Sequence, residues 1–537
     1  MNFPTRNSFL TIVLFIISQG LLAQTFSAER PRLIVGIMVD GLQQKHIDLL
    51  WNYFDSSGFK KIITQGANCQ NVSYNIVSAG NSSDIATVMS GSTPYYNGIV
   101  GNNYYNRSEN TIESIIQDDA QVGIGTNQTL SAHKLLASTF VDELLLANPK
   151  NSKCYVVAQG PDEAIMLGGH MANSVAWLDD VNMKWVTTGY YKEGLSHWAD
   201  DMNMDGSFKN YVIRPWVPLF NINTYYSKPN REDKKYGFMY DPSSKKSKTS
   251  AASILKYTPS ANSLVADLGM KILVENKLGT DVIYPDVLLL QFSVRTPFEK
   301  TTALQSAEKE DMYLRLDKDI QNLLKKIDSK IGLNNTVLFM FGNQTGIHSP
   351  TELGENKIPA GYFNADRSLA LLSSYLMAIY GQQKWISGYY GKNIFLNKAK
   401  IEEKKLNFST IQQTVADFML NFEGIQSAFT ASQVLNSGGN GSSELTRIRN
   451  STNKNSIGDV IITLLPGWVE VDNKNNPVGE SNAIVSYTPL YFYGWKIKPQ
   501  NISTSYQTTD VAPTISRMLN TPMPNASIGK PIEELMK

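Results

Sequence analysis

Asp40 closes a run of buried-strand residues, Leu33-Ile34-Val35-Gly36-Ile37-Met38-Val39, and is followed at once by Gly41. Its carboxylate therefore falls where a parallel strand opens into a loop, a standard place for a metal ligand. A second chemistry-bearing stretch is Ile76-Val77-Ser78-Ala79-Gly80-Asn81-Ser82-Ser83-Asp84, in which Ser78 or Ser82 is the fallback hydroxyl nucleophile. A serine hydroxyl is a weak nucleophile at neutral pH and needs a base or a metal to activate it. Imidazoles that could complete a metal site are scarce: the chain has five histidines, His46, His133, His170, His197 and His348, and none follows His348. An isolated histidine such as His170 is expected to be packed or hydrogen-bonded rather than ligating. The two cysteines, Cys69 and Cys154, are either a disulfide in an oxidising compartment or two buried thiols.

The elements that would position these groups read as α/β. The strand into Asp40 is followed by a helix around 43–53 and an amphipathic run at 85–89. Further helices are expected at about 134–147, 264–275 and 309–330, with strands at 154–158, 287–292 and 336–341. Apolar strands alternating with helices demand a doubly wound, largely parallel sheet with helices on both faces, whose ligand sites lie beyond the carboxyl ends of the strands. Two stretches break the alternation, at about 230–253 and about 346–476, and are read as insertions on the functional face, the second cap-like.

The chain has 537 residues, 42% of them hydrophobic and 18% charged, enough for a large core. Lysine plus arginine (49) nearly cancels aspartate plus glutamate (48), leaving a formal charge of +1, so no global pull toward nucleic acid or anionic membrane is implied. Arg6 precedes an apolar stretch from Phe9 to Leu22 with Ala23-Gln24 behind it. Residues 1–24 therefore read as a cleaved signal peptide, and the mature protein as exported to the periplasm or outer membrane with no later transmembrane segment.

Several segments together resemble the alkaline phosphatase superfamily, in particular exported Bacteroidetes-type phosphatases and the type I phosphodiesterase and nucleotide pyrophosphatase branch. They include RLIVGIMVDGL (32–42), SGSTPYYNGIVGNNYY (90–105), GGHMANSVAWLD (168–179), DMYLRLDKDI (311–320), TPLYFYGWKIKP (488–499) and TTDVAPTI (508–515). They run in family order, so residues 30–537 are expected to form one such domain. The resemblance implies two zinc ions flanking a Thr or Ser nucleophile, which they activate while stabilising the attacking and leaving oxygens of phosphoryl transfer.

Carried over position by position, the family's ligands are largely replaced. Asp40 stands at the first ligand position. The Asp-x-x-x-His pair falls on Thr296 and Lys300, the Asp-His pair on Asn343 and Gln344, and the final histidine has no counterpart. The nucleophile position is Asn81, the phosphate-contacting asparagine is retained as Asn102, and the Lys-x-Arg pair of phosphomonoesterases falls on Gly160 and Asp162. An anion in place of those cations repels phosphate. The expectation is a pseudoenzyme without a cofactor, acting as a binding or structural component with an envelope protein partner. The enzyme alternative is a zinc-dependent phosphatase or phosphodiesterase with a rebuilt site, and a third reading is a binder of a small phosphorylated or sulfated ligand without turnover. Within the degenerate site Lys300 is expected to ion-pair with Asp40 in place of the metal, with Asn343 and Gln344 completing the hydrogen bonds. The competing local reading has Lys300 in solvent and Asp40 capping a helix.

Overall fold

A strand buried on both faces belongs inside a sheet covered by helices, and Leu33–Asp40 takes that place. The computed structural model describes residues 29–77, 80–179, 181–243, 251–296, 305–344, 348–438, 444–478 and 486–537. Strand β1 is Leu33–Asp40, and along the chain follow β2 (Ala67–Tyr74), β3 (Cys154–Ala158), β4 (Ser174–Leu178), β5 (Asp286–Ser293), β6 (Thr336–Gly342), β7 (Ile386–Tyr390), β8 (Asn393–Leu396), β9 (Ile425–Thr430), β10 (Val460–Leu464) and β11 (Leu490–Gly494). The helices that matter for the site are α1 (Asn81–Ser90), α2 (Phe140–Ala147), α3 (Pro161–Gly168), α4 (Pro259–Glu275), α5 (Ala307–Lys330), α6 (Ala365–Tyr380), α7 (Phe408–Met419) and α8 (Glu444–Asn450).

The central part of the main sheet runs β11-β6-β1-β5-β3-β4. It is parallel except where β11 meets β6. Successive residues of β1 serve opposite cores, as the pleat requires. Leu33, Val35, Ile37 and Val39 pack with the layer that includes α4 and α5, while Ile34 and Met38 join the layer that includes α1 and α3. Gly36 is fixed by crowding, because a Cβ there would lie 2.5 Å from Leu289 and 2.6 Å from Phe339 on the flanking strands. Among the described residues no helix is long and apolar enough to cross a membrane. The expected signal peptide at 1–24 lies outside the described residues.

Two expectations need correction. The helix expected at about 134–147 begins only at Phe140. Thr139 and Asp142 form a reciprocal capping box there, which satisfies the first free amides and sets the start. Cys69 and Cys154 are both buried free thiols, so the disulfide alternative fails; one lies on β2 and the other on β3, apart in the sheet order.

Within the stretch expected as the second insertion, β7-β8-β10-β9 form an antiparallel sheet of their own. Leu372 and Leu376 of α6, Val415 of α7 and Ile394, Val460 and Ile462 of the sheet build a separate apolar cluster. Arg107, just after the Asn103–Asn106 strand of the main body, ties the two parts together. Its guanidinium donates to both oxygens of Asp459 at 2.9 and 3.0 Å and to Ile457 O at 2.7 Å. The earlier irregular stretch, at 213–240, is held by carboxylates on the first turns of α5. Asp311 accepts from Trp216 Nε1 (2.6 Å), Leu219 N (2.7 Å) and Tyr225 Oη (2.5 Å), and Glu310 accepts from Tyr226 N and Ser227 N. Residues 244–250 of the expected first insertion lie outside the described residues.

Candidate functional site

Strand register decides which residues meet Asp40. It lies opposite Ser293 on β5, and Val39 lies opposite Gly342 on β6, so residues just past 293 and 342 emerge beside it. Those residues are Arg295 and Asn343. Arg295 Nε donates to Asp40 Oδ1 at 3.2 Å, and Asn343 Nδ2 donates to the same oxygen at 2.7 Å.

The orientation of the Asn343 amide is dictated by the backbone. Gly41 N donates to Asn343 Oδ1 at 2.9 Å, so the NH2 group must face the other way. There it also donates to Asn81 Oδ1 at 2.7 Å, which leaves Asn81 Nδ2 to donate to Glu163 Oε1 at 2.6 Å. Two neutral amides thus bridge two carboxylates, Asp40 and Glu163. Burial pushes the Glu163 carboxyl up to about 7, and the neighbouring Asp162 carboxylate adds to the rise against the opposing Asn81 hydrogen bond. Asp162 is raised as well, chiefly by burial, with the Ser82 hydrogen bond acting the other way.

The remaining expected positions resolve as follows. Gln344 does not reach Asp40; its backbone N and Nε2 both donate to the Asp84 carboxylate, at 2.8 and 2.9 Å. Thr296 is buried and lies 3.5 Å from Asn230 Nδ2, facing the irregular stretch. Lys300 and Ser78 lie outside the described residues; among the described residues the cation on Asp40 is Arg295. The helix-capping reading of Asp40 also fails. The following helix starts at Gln44 with Gln43 at its N-cap and no side-chain cap.

Ser82 is fully buried, with Oγ donating to Asp162 Oδ1 at 3.0 Å, so it does not present a hydroxyl to the cleft. Asn102 Oδ1 accepts from Ser82 N at 2.9 Å and so holds the first turn of α1. Gly80, at φ +128°, has to be glycine because a Cβ would lie 2.4 Å from that Asn102 oxygen. His170 is hydrogen-bonded in the body: Nδ1 lies 3.1 Å from Tyr190 Oη and Nε2 3.3 Å from Ala137 O.

Zinc does not fit these donors. A metal ligand must offer a lone pair, and the groups aimed at Asp40 Oδ1 are N–H donors. The Asn343 oxygen that might ligate is committed to Gly41 N. Among the described residues no group of three or more His, Cys, Asp or Glu side chains could hold a metal ion. Arg295 escaped the sequence reading because family positions direct attention to Thr296. Its signal was local: it stands two residues beyond a strand that pairs in register with β1.

Above this floor opens a cleft of about 590 Å³ between the main body and the second sheet, reached by Asn81, Asn343 and Arg295 from below and by Tyr104, Tyr390 and Lys392 from the walls. Such a volume suits a small organic ligand.

A sequence profile of the type I phosphodiesterase / nucleotide pyrophosphatase family matches residues 34–489. The chain is 28% identical over 557 residues to a protein of Myroides odoratus named a calcium-transporting ATPase, covering all of both chains. It is 28% identical over 531 residues to the alkaline phosphatase PhoV of Synechococcus elongatus, covering 95% of this chain and 94% of the other. The crystal structure of the wild-type alkaline phosphatase PafA superposes with a TM-score of 0.84 at 24% identity, over 95% of this chain and 99% of that one, and shares its fold.

Proposed function

Because the chain belongs to the type I phosphodiesterase / nucleotide pyrophosphatase family, we propose that it is a catalytically silent, alkaline phosphatase-like member that binds a ligand without turning it over. The observation that carries this reading is the double occupation of Asp40 Oδ1 by the Arg295 guanidinium and the Asn343 amide, at 3.2 and 2.7 Å. With a guanidinium and an amide where metal would sit, the lowering of a bound water's pKa from about 15.7 to about 7 is lost, roughly 12 kcal/mol at 1.36 per pH unit. The nucleophile position, Asn81, carries an amide that is already bonded on both sides. Export to the cell envelope and a protein partner there belong to the same proposal. They rest on the apolar leader of the sequence and on a fold that keeps a cleft while the family's catalytic groups are replaced.

The test is metal content of the purified protein together with hydrolysis of an aryl phosphate and a phosphodiester. Less than stoichiometric zinc and no turnover above background are expected. Stoichiometric zinc with turnover that disappears in Asp40→Ala would overturn the proposal. One observation favours the enzyme alternative: a carboxyl held near 7, Glu163, is suited to general acid–base work. Its nucleophile would have to be other than Ser82, and the same assay decides it.

A further inference from the structure

Helix α6 is held to the core of the second sheet by Leu372 and Leu376, so its outward side should be polar, as on any surface helix. The exposed positions of α5 from Lys318 onward obey that rule, being Lys318, Asn322, Lys325, Asp328, Ser329 and Lys330. Between residues 370 and 379, α6 exposes instead Ala370, Leu371, Ser374, Tyr375, Ala378 and Ile379, with no charge among them. Leu371 is 58%, Tyr375 37% and Ile379 49% exposed.

These six side chains form two rows along the helix. Ala370, Ser374 and Ala378 make a shallow row that lets another helix approach closely, and Leu371, Tyr375 and Ile379 make a ridge beside it. The ridge continues onto α7, because the Tyr375 ring stacks on Phe418 at 4.3 Å and Phe418 meets Phe422 edge-on at 5.5 Å. On the other flank of the shallow row a groove of about 740 Å³ runs between α6 and β7, with Leu369 and Met377 in its α6 wall. Asp366, in the first turn of α6, and Lys384, just past its end, line the same groove, and both are exposed.

We infer that this face is the docking surface for a second copy of the chain, packed as an antiparallel pair of α6 helices about a two-fold axis beside Ser374 and Tyr375. The pattern is self-complementary. Shallow row lies on shallow row, and Leu371 of one copy meets Ile379 of the other, because each stands one turn from Tyr375. Charge fixes the direction: an antiparallel pair brings Asp366 of each copy to Lys384 of the other and opposes the helix dipoles, whereas a parallel pair sets Asp366 against Asp366. The α6 face with Phe418 and Phe422 offers on the order of 400–500 Å² per copy, so the pair buries roughly 800–1,000 Å², at the lower edge of specific interfaces, and the dimer is weak and reversible. Tyr389 of β7 lines both this groove and the ligand cleft, so pairing braces the cleft wall from outside, whatever the cleft binds.

The experiment is sedimentation velocity of the full chain at concentrations from about 1 to 200 μM. The mass is expected to rise reversibly from one copy to two. Tyr375→Glu and, separately, Ala378→Leu should raise the dissociation constant at least about ten-fold and leave the melting temperature at the wild-type value, both positions being exposed. Ala378→Leu adds apolar surface, so it weakens only a contact that needs close helix approach; tighter association in that variant overturns the inference. Asp366→Lys should weaken the pair, and adding Lys384→Asp should restore it; no restoration refutes the antiparallel order. A chain that stays monomeric throughout the range overturns the inference, and a monomer that floats with phosphatidylcholine vesicles does so by giving the face to a membrane.

Discussion

Glu163→Gln isolates the buried charge at the floor of the cleft. The glutamine keeps the oxygen that accepts from Asn81 Nδ2 and removes the ionisable proton. In the folded protein burial, reinforced by Asp162, lifts this carboxyl from an ordinary value of 4.5 to about 7. The folded state therefore holds the proton more tightly than the unfolded chain. Ionisation at this site costs folding nothing below about 4.5; the penalty grows as pH rises from there to about 7 and is constant above that. A rise of about 2.5 in pKa is worth about 3 kcal/mol at 1.36 per pH unit. Asp162 shares the effect, so the variant should recover about 1–3 kcal/mol of it. Urea unfolding of wild type and variant at a series of pH values measures this directly. Near pH 4.5 the two should be nearly equal, and at pH 8.5 the variant should be the more stable by that amount. Asp286, pushed up to about 6, and Asp319, to about 7, titrate in both proteins and cancel in the difference. A difference that does not change with pH, or a variant less stable than wild type at pH 8.5, would refute the reasoning.

Three further outcomes follow from the same contacts. A double-mutant cycle on Arg295→Met and Asp40→Asn should return a coupling of about 1–2 kcal/mol in unfolding free energy, as expected of a partly buried charge-assisted pair; zero coupling means the pair does not neutralise Asp40. Ser82→Ala should lower stability by about 1 kcal/mol, the usual worth of a hydrogen bond, and leave any background hydrolysis of an aryl phosphate unchanged, whereas loss of that hydrolysis would show the hydroxyl taking part. Asp311→Ala, which strands the donors of Trp216, Leu219, Tyr225 and Arg315, should cost about 3–5 kcal/mol and open the 213–240 stretch to protease; wild-type resistance to cleavage would contradict the anchoring.

The sequence by itself determined the doubly wound body, because strands buried on both faces leave continuous apolar runs such as Leu33 to Val39 and Val287 to Phe292. It also raised the expectation that the groups family chemistry requires are replaced, which rests on residue identities at the matched positions. Asn343 could be placed beside Asp40 by counting alone, because parallel strands in register keep their loop residues level. Tertiary structure decided the rest. Whether an amide presents its oxygen or its NH2 is a two-fold choice that the Gly41 N–H makes for Asn343. That Arg295 reaches Asp40 depends on how the chain leaves β5. Gln344, adjacent in sequence to Asn343, turns instead to Asp84. Hydrogen-bond partners 260 or more residues apart are set by how the sheet stacks its strands, and no local pattern of residues carries that information.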